Sequence, residues 1–235
     1  MAGLLGTGVL VNWGGVVAEH EGDYNAWHSL EHMPERLAVP GFRRGRRAVA
    51  VDEVPAHLKY FMMYEADDTD VFISPPYLAR LNDPTPWTQR ILSAYVVPSR
   101  TVCRVLESRG RGVGGWLATI HFDTGKTAPP VSRLAGLVDA VSRRPGILGA
   151  HLLEGDPRHG QQPTKEKRFR ESRGDPDRTV SLALLIDGFD ERATRLAGEA
   201  ALGALPPGER EAATHVLFQV QHVISDRDAR PAGCP

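Results

Sequence analysis

Two histidines and two glutamates within eight residues form the one dense cluster of acid-base groups in the chain: His28, Glu31, His32 and Glu35, with Tyr24 one turn ahead of them. An imidazole titrates nearer neutral pH than other side chains and can exchange a proton with a carbon acid, which suits enolisation, cyclisation, isomerisation or oxygenation. Helical residues three or four apart face each other, so His28 and Glu35 are the natural neighbours of His32, and Tyr24 of His28. His32 is the expected proton shuttle, with His28, Glu35 and Tyr24 in support. The order His28-Ser29-Leu30-Glu31-His32 also spells H-x-x-E-H, in which two histidines hold zinc and the glutamate activates water. That chemistry needs a third ligand from another helix of a larger scaffold, and this helix meets Pro34 two residues later, so no metal site is expected.

Candidate substrate contacts lie around this cluster. Asn12 ends the first strand, where a barrel's inward side chains line a pocket, and Trp27 shares the helix. Tyr60 and Met62 share one strand face with Tyr64, a wall suited to a flat apolar ligand. Trp87 and Tyr77 flank a helix broken by prolines, the expected flap. At about 100° per residue, Trp27, Leu30, Met33, Pro34 and Leu37 form the helix's core stripe. Tyr24, His28, Glu31, His32 and Glu35 fall on its flank and opposite side, which on an isolated helix is a solvated face.

These residues need elements to hold them. Pro40-Gly41 stops the helix, because the residue before proline leaves the α region and glycine tolerates the turn. Strands are predicted over Leu4 to Trp13, Phe42 to Val54, Leu58 to Glu65 and Pro98 to Glu107, with helices over 23–37, 70–82 and 87–95. The order is βαββαβ. It recurs after the Gly/Arg-rich linker Ser108 to Gly112, as strands over 115–122, 147–154, 179–187 and 215–224 and helices over 131–143 and 191–202. Pro145-Gly146 repeats the Pro40-Gly41 stop. The fold class is α+β: two ferredoxin-like repeats, 1–107 and 113–226, packed sheet to sheet as a barrel that covers both open faces. Gly155 to Arg178 is polar and without alternation, so it reads as a disordered hairpin insertion, with a lid or partner contact as the second reading. Arg227 to Pro235 reads as a frayed terminus.

Composition bounds the rest. With 235 residues, 41% of them hydrophobic, the chain can bury a full core, and a net charge of -1 offers no footprint for a nucleic acid. Met1 to Val11 lacks a basic leader and no segment has the length of a membrane span, so a cytoplasmic protein is expected. The two cysteines, Cys103 and Cys234, make no disulfide framework. No glycine-rich nucleotide loop and no nucleophile elbow is present.

With βαββαβ written twice and Trp-His-x-x-Glu-His-x-Pro-x-x-x-x-x-Pro-Gly-Phe closing the first helix, the chain resembles the dimeric α+β barrel superfamily. Its first hundred residues are similar to the ethyl tert-butyl ether degradation accessory (EthD-like) group, matching at His32, Pro34, Pro40, Gly41, Phe42 and Arg47. The second half lacks the Glu-His-x-Pro element. The resemblance implies a pocket enclosed by helix and sheet, with His32 lining it and Arg47 beside an anionic group. It also implies the superfamily's range of activities: cofactor-free monooxygenases, cyclases and isomerases, and haem-binding proteins. The expected function is a cofactor-independent enzyme acting on a small cyclic or aromatic metabolite. The alternatives are a haem protein, with a ligand among His121, His151, His215 and His222, and a non-catalytic ligand-binding accessory protein. A homodimer is the further option for assembly.

Overall fold

The computed structural model describes residues 3–229; residues 1, 2 and 230–235, with Cys234 and most of the tail expected to fray, lie outside the described residues. The first half runs β1 (Gly8–Gly14), α1 (Glu21–Trp27), a π turn (His28–His32) leading directly into α2 (Met33–Leu37), β2 (Phe42–Ala50), β3 (Tyr60–Ala66), α3 (Pro75–Asn82), α4 (Pro86–Leu92) and β4 (Ser99–Gly110). The second runs β5 (Trp116–Asp123), α5 (Val131–Ser142), β6 (Ile147–Gly155), α6 (Pro157–Gly160), α7 (Lys165–Arg170), β7 (Val180–Gly188), α8 (Glu191–Gly203), α9 (Pro207–Ala212), β8 (Thr214–Ser225) and α10 (Asp226–Ala229). No helix among the described residues is long and apolar enough to cross a membrane.

The eight strands close into one antiparallel barrel in the order β1-β3-β2-β8-β5-β7-β6-β4. Each half contributes four adjacent strands in the same relative order, β4-β1-β3-β2 and β8-β5-β7-β6. The β2–β8 and β4–β6 pairs join them. Closure leaves no strand edge to template aggregation. It also explains why β4 runs on to Gly110 through residues expected to form a linker: Glu107 to Gly110 pair with Leu152 to Gly149 of β6. Both Pro-Gly stops require glycine, at φ +92° for Gly41 and +86° for Gly146; a Cβ on Gly41 would lie 2.6 Å from Val71 and one on Gly146 2.4 Å from Ala193.

Strand alternation sends one set of side chains into the barrel and the other toward the helices. Val9, Val11, Trp13, Phe61, Met63, Leu185 and Phe218 belong to the buried cluster that fills the interior. Eight strands leave room for side chains and little else. The pocket expected inside the barrel is therefore replaced by core: Trp13 stacks on His121 with ring centroids 4.2 Å apart and donates to Thr119 Oγ1 at 3.2 Å. Its neighbour Asn12 points the other way, toward the helix layer.

One end of the interior holds a buried charge network. Arg46 Nη1 lies 2.6 Å from Asp187 Oδ1, and Arg44 binds Glu65 through two contacts of 2.8 Å. His151 bridges Ser108 Oγ (2.8 Å) and Asp187 Oδ2 (3.3 Å). The set has the membership of a Ser-His-Asp triad, yet Ser108 Oγ accepts the Gly3 and Leu4 N–H groups, and even a Cβ on Gly3 would sit 2.7 Å from the His151 ring. A substrate carbonyl has no approach, so the network is structural. Burial opposes ionisation of Asp187, but the Arg46 guanidinium and His151 outweigh it and hold its carboxyl below the usual range.

Removing the Asp187 carboxylate leaves Arg46 buried without its closest counter-charge. Asp187→Ala is expected to destabilise the fold by about 3–5 kcal/mol in denaturant unfolding. Because the folded pKa is depressed, the stabilisation is present above the unfolded carboxyl pKa and is lost as pH falls through the folded value. A loss under about 1 kcal/mol would show that the network does not hold the barrel end.

Candidate active site

The site helix buries Trp27, Met33 and Leu37 of the expected core stripe, but its other faces differ from expectation. Leu30, assigned to the core stripe, is 73% exposed, whereas Tyr24 and His28, assigned to a solvated flank, are buried. The π turn is the physical reason. Residues four apart drift by about 40° per step on an α-helix. A wider turn with i→i+5 bonding absorbs that drift. Tyr24, His28, His32 and Arg36 thus share the side facing the β1–β3 sheet, and Leu30 is rotated to solvent. Glu31 turns away from both histidines to accept Thr85 Oγ1 (2.6 Å) and Thr88 Oγ1 (3.1 Å). The glutamate of the H-x-x-E-H order is thus turned from its two histidines, and among the described residues no group of three or more His, Cys, Asp or Glu side chains that could hold a metal is gathered.

Between this helix and the outer face of the first-half sheet lies a narrow cavity of about 30 Å³. Of the predicted site residues Asn12, His28, His32 and Met62 line it, Asn12 from the outer rather than the expected inner face of the sheet, together with Arg36, Tyr64, Tyr77, Tyr95, Arg100, Glu166 and Arg170. Five of its buried polar atoms have no hydrogen-bond partner among the described residues: Asn12 Oδ1, His28 Nδ1, His32 Nδ1, Arg36 Nη1 and Tyr64 Oη. Buried polar atoms are ordinarily satisfied, so five orphans on one cavity mark a place built for a polar guest.

The roof is the segment expected to be disordered. Residues 156–178 are folded as α6, α7 and their connections, and Asp156, Thr164, Glu166 and Arg170 are buried. α7 starts at Thr164, whose Oγ1 accepts the Lys167 N–H at 3.3 Å, and Lys165 N–H donates to Asn82 Oδ1 at 3.1 Å. His159 is held between Asp156 Oδ2 and Asp70 Oδ1, each at 3.0 Å. Polar composition had suggested disorder because this segment has almost no apolar surface to bury; buried ion pairs do the ordering instead, Arg36 with Glu166, and Arg170 with Asp177 at 2.7 Å. Tyr77 of the anticipated flap lines the cavity, but α3 and α4 flank the lid rather than form it.

Several predicted site residues stand outside the cavity. Glu35 points to the surface and pairs with Arg80 at 3.3 Å; partial burial raises its carboxyl pKa. Arg47 is clamped behind the helix, against the rings of Tyr60 (4.6 Å) and Tyr24 (5.3 Å) and hydrogen-bonded to Asn25. Tyr60 is bound by Glu21 and Trp87 by Asp23 (2.8 Å), away from the cavity. Trp27 supports the site from behind, its ring 4.3 Å from that of His32 and its Nε1 on Thr88. Tyr24 does likewise, its hydroxyl 3.1 Å from Met62 Sδ. Arg36 was missed although it continues the four-residue spacing 24, 28, 32, 36. Glu166 and Arg170 left no signal, because nothing in a polar run of 24 residues says which side chain turns inward.

Burial, then the positive field of nearby arginines, pushes both site imidazoles well below their usual pKa: Arg47 acts on His28, and Arg36 on His32. At neutral pH both are uncharged, and one ring nitrogen of each can accept a proton. Burial raises the Tyr64 phenol, which stays protonated and able to donate. Three guanidinium groups, Arg36, Arg100 and Arg170, face two carboxylates, Glu166 and Asp177. Arg100 is the one with no carboxylate partner among the described residues; it donates to Tyr77 Oη (3.0 Å) and the Gly160 carbonyl (3.1 Å). The site can hold an anion and take a proton.

None of the four histidines named as possible haem ligands, His121, His151, His215 and His222, lines this cavity; His121 lies against Trp13 and His151 on Ser108.

No protein-family profile and no curated protein matches the chain. Among solved structures it is similar to an anthrone oxidase-like protein, with TM-score 0.57 and 11% identity over 100% of this chain and 99% of that one. It is also similar to a candidate monooxygenase of Fusobacterium nucleatum subsp. nucleatum, with TM-score 0.51 and 9% identity over 94% and 96% of the two chains. At these identities the likeness is one of fold: the chain shares the α+β barrel architecture of both.

The depressed imidazoles fix a sign for pH dependence. Below 6.5 the unfolded chain takes up protons that folded His28 and His32 refuse, so stability is full above that pH and falls as pH drops. Thermal unfolding from pH 7 to 5 is expected to show a falling Tm, with a shallower slope for a His28→Gln/His32→Gln variant, the remainder coming from His57, His121 and His215. An unchanged slope would mean that these two rings titrate as free histidines.

Proposed function

We propose that the chain is a cofactor-independent enzyme of the cyclase, isomerase or monooxygenase type, acting on a small cyclic or aromatic metabolite in the cavity beneath α7. The observation that carries this reading is the convergence of five unpartnered buried polar atoms, two of them imidazole nitrogens, on one enclosed space. Neutral His32 takes a proton from an acidic carbon of the substrate; His28, 5.4 Å away ring to ring, stays uncharged beside it. The electron pair moves onto the adjoining carbonyl oxygen, where Arg100 and the Tyr64 hydroxyl supply positive charge and a hydrogen bond. Exclusion of water by the lid keeps the enolate from being quenched. The enolate's fate, ring closure, return of the proton to another carbon, or capture of dioxygen, distinguishes the three reaction types. The fold shared with an anthrone oxidase-like protein and a candidate monooxygenase supports the last of these.

The same reading takes the two halves as copies of one ferredoxin-like unit, of which only the first kept a site. α5, the counterpart of the site helix, buries Leu134, Val138 and Val141 and carries no histidine. It also makes the chain cytoplasmic, since a neutral composition and a small-molecule substrate call for nothing else.

A thermal-shift panel of haemin, zinc, aromatic acids, polyphenols, anthrones and small lactones, run on wild type and His32→Ala, tests this function. An aromatic or lactone is expected to raise the wild-type Tm, because a ligand that binds the folded state stabilises it by mass action. With that compound as substrate, His32→Ala is expected to lose about 10²–10⁴-fold in turnover, the contribution of a positioned base. Unchanged turnover in His32→Ala would sink the mechanism, and a Soret band with haemin would move the protein to the haem-binding class.

A further inference from the structure

At about 30 Å³ the cavity has room for one or two waters and for no metabolite. Arg100 also lines a second space of about 280 Å³ between the ends of β4, β6 and β7, whose wall includes Asp156, Pro157 and Gly160 of the lid. Joined, the two approach the volume of an ordinary ligand pocket. A substrate therefore enters only by displacing side chains that the lid pushes inward, and α7 supplies two of these, Glu166 and Arg170. Arg170 carries its own counter-ion from within the lid, Asp177. Glu166 does not: its carboxylate reaches across to Arg36, a residue only 2% exposed, and binds one nitrogen of the guanidinium while Nη1 has no partner.

From this arrangement we infer that Glu166 is a built-in stand-in for the acidic group of the substrate, and that the substrate is an aromatic carboxylate. The inference rests on the cavity being the ligand site and deepens that reading. Arg36 cannot be left buried without a counter-charge, so whatever removes Glu166 must bring one. A carboxylate does so, and its two oxygens match the fork of a guanidinium of which one tine is unused. The rings of Tyr77 and Tyr64 flank the place where an attached ring would lie. Unpaired Arg100 stands ready for a second oxygen on the ligand. The lid is hung for such motion: its ends continue β6 and lead into β7, and Gly174 at φ +92°, with open space around it, lies between α7 and the strand. Substrate and lid then compete for one guanidinium, which makes the site self-closing when it is empty.

Direct binding separates this inference from the enzymatic reading. The probes are 2-naphthoate and its neutral isostere 2-naphthamide, titrated calorimetrically into wild type, Glu166→Gln and Arg36→Met. Glu166→Gln keeps the shape of the side chain and removes the competing charge, so it is expected to tighten naphthoate by roughly tenfold or more while naphthamide changes little. A gain equal for both probes would reflect a looser lid alone and would overturn the inference, as would a naphthoate affinity that is unchanged or weaker. Arg36→Met is expected to abolish the preference for naphthoate over naphthamide; if it does not fold, the Glu166→Gln comparison decides. Failure of both probes on every protein would overturn the inference together with the cavity as a ligand site, whereas failure of the charge preference alone leaves the role of His32 standing.

Discussion

Burying Arg36 is the constraint around which the first half is arranged. A guanidinium held at 2% exposure on the inward side of a helix needs a counter-charge close by, and among the described residues no carboxylate of its own half is paired with it. Glu166 comes instead from the second half, 130 residues away. That ion pair ties a polar segment of little hydrophobic content to the site helix, over the space that the two imidazoles line. The buried Arg36–Glu166 pair, with Arg170–Asp177 and His159 between Asp70 and Asp156, thus holds the lid over a cavity in which burial first, and then Arg47 and Arg36, depress the two imidazoles. The position of Arg36 is set by the π turn, since on an unbroken α-helix position 36 would have rotated away from the line of Tyr24, His28 and His32.

The barrel supplies the frame but not the site. Its interior is fully used: aromatic and aliphatic side chains fill the middle, and the Arg46–Asp187–His151 network closes one end. The cavity lined by His28 and His32 lies on the outer face, beneath the site helix. The second half fills its outer face with α5 and α8, whose buried residues are small or aliphatic. The first half does not. Its helix carries tyrosine, tryptophan, histidine and arginine, and its cover comes from elsewhere in the chain. The asymmetry between two halves of like topology therefore resides in side chains rather than in backbone order.

Much of the fold was legible in the sequence. Period-two runs, the two Pro-Gly stops and the prolines at 84 and 86 placed the eight strands and the principal helices, because these signals act within a few residues. His28, His32, Asn12 and Met62 were legible as candidates for the same reason. Three features were not. The π turn leaves no local mark: Trp27, Met33 and Leu37 are core as regular helical periodicity predicts, but Leu30 is turned to solvent and Tyr24 and His28 are buried. The direction of Arg47 depends on Tyr24 and Tyr60 clamping it behind the helix, a contact across three elements. The order of residues 156–178 depends on charges buried far away in sequence, so composition alone pointed to disorder.

The central claim is that His28 and His32 are neutral imidazoles facing a ligand cavity. Ring-resolved histidine NMR at pH 7, with and without 2-naphthoate, tests it most directly, since the chain has nine histidines to serve as internal controls. The account predicts that the His28 and His32 rings are uncharged in the free protein and that their signals move on addition of ligand, while those of His121, His151 and His215 stay in place. Signals of His28 and His32 that are protonated at neutral pH, or that remain fixed while others shift, would contradict it.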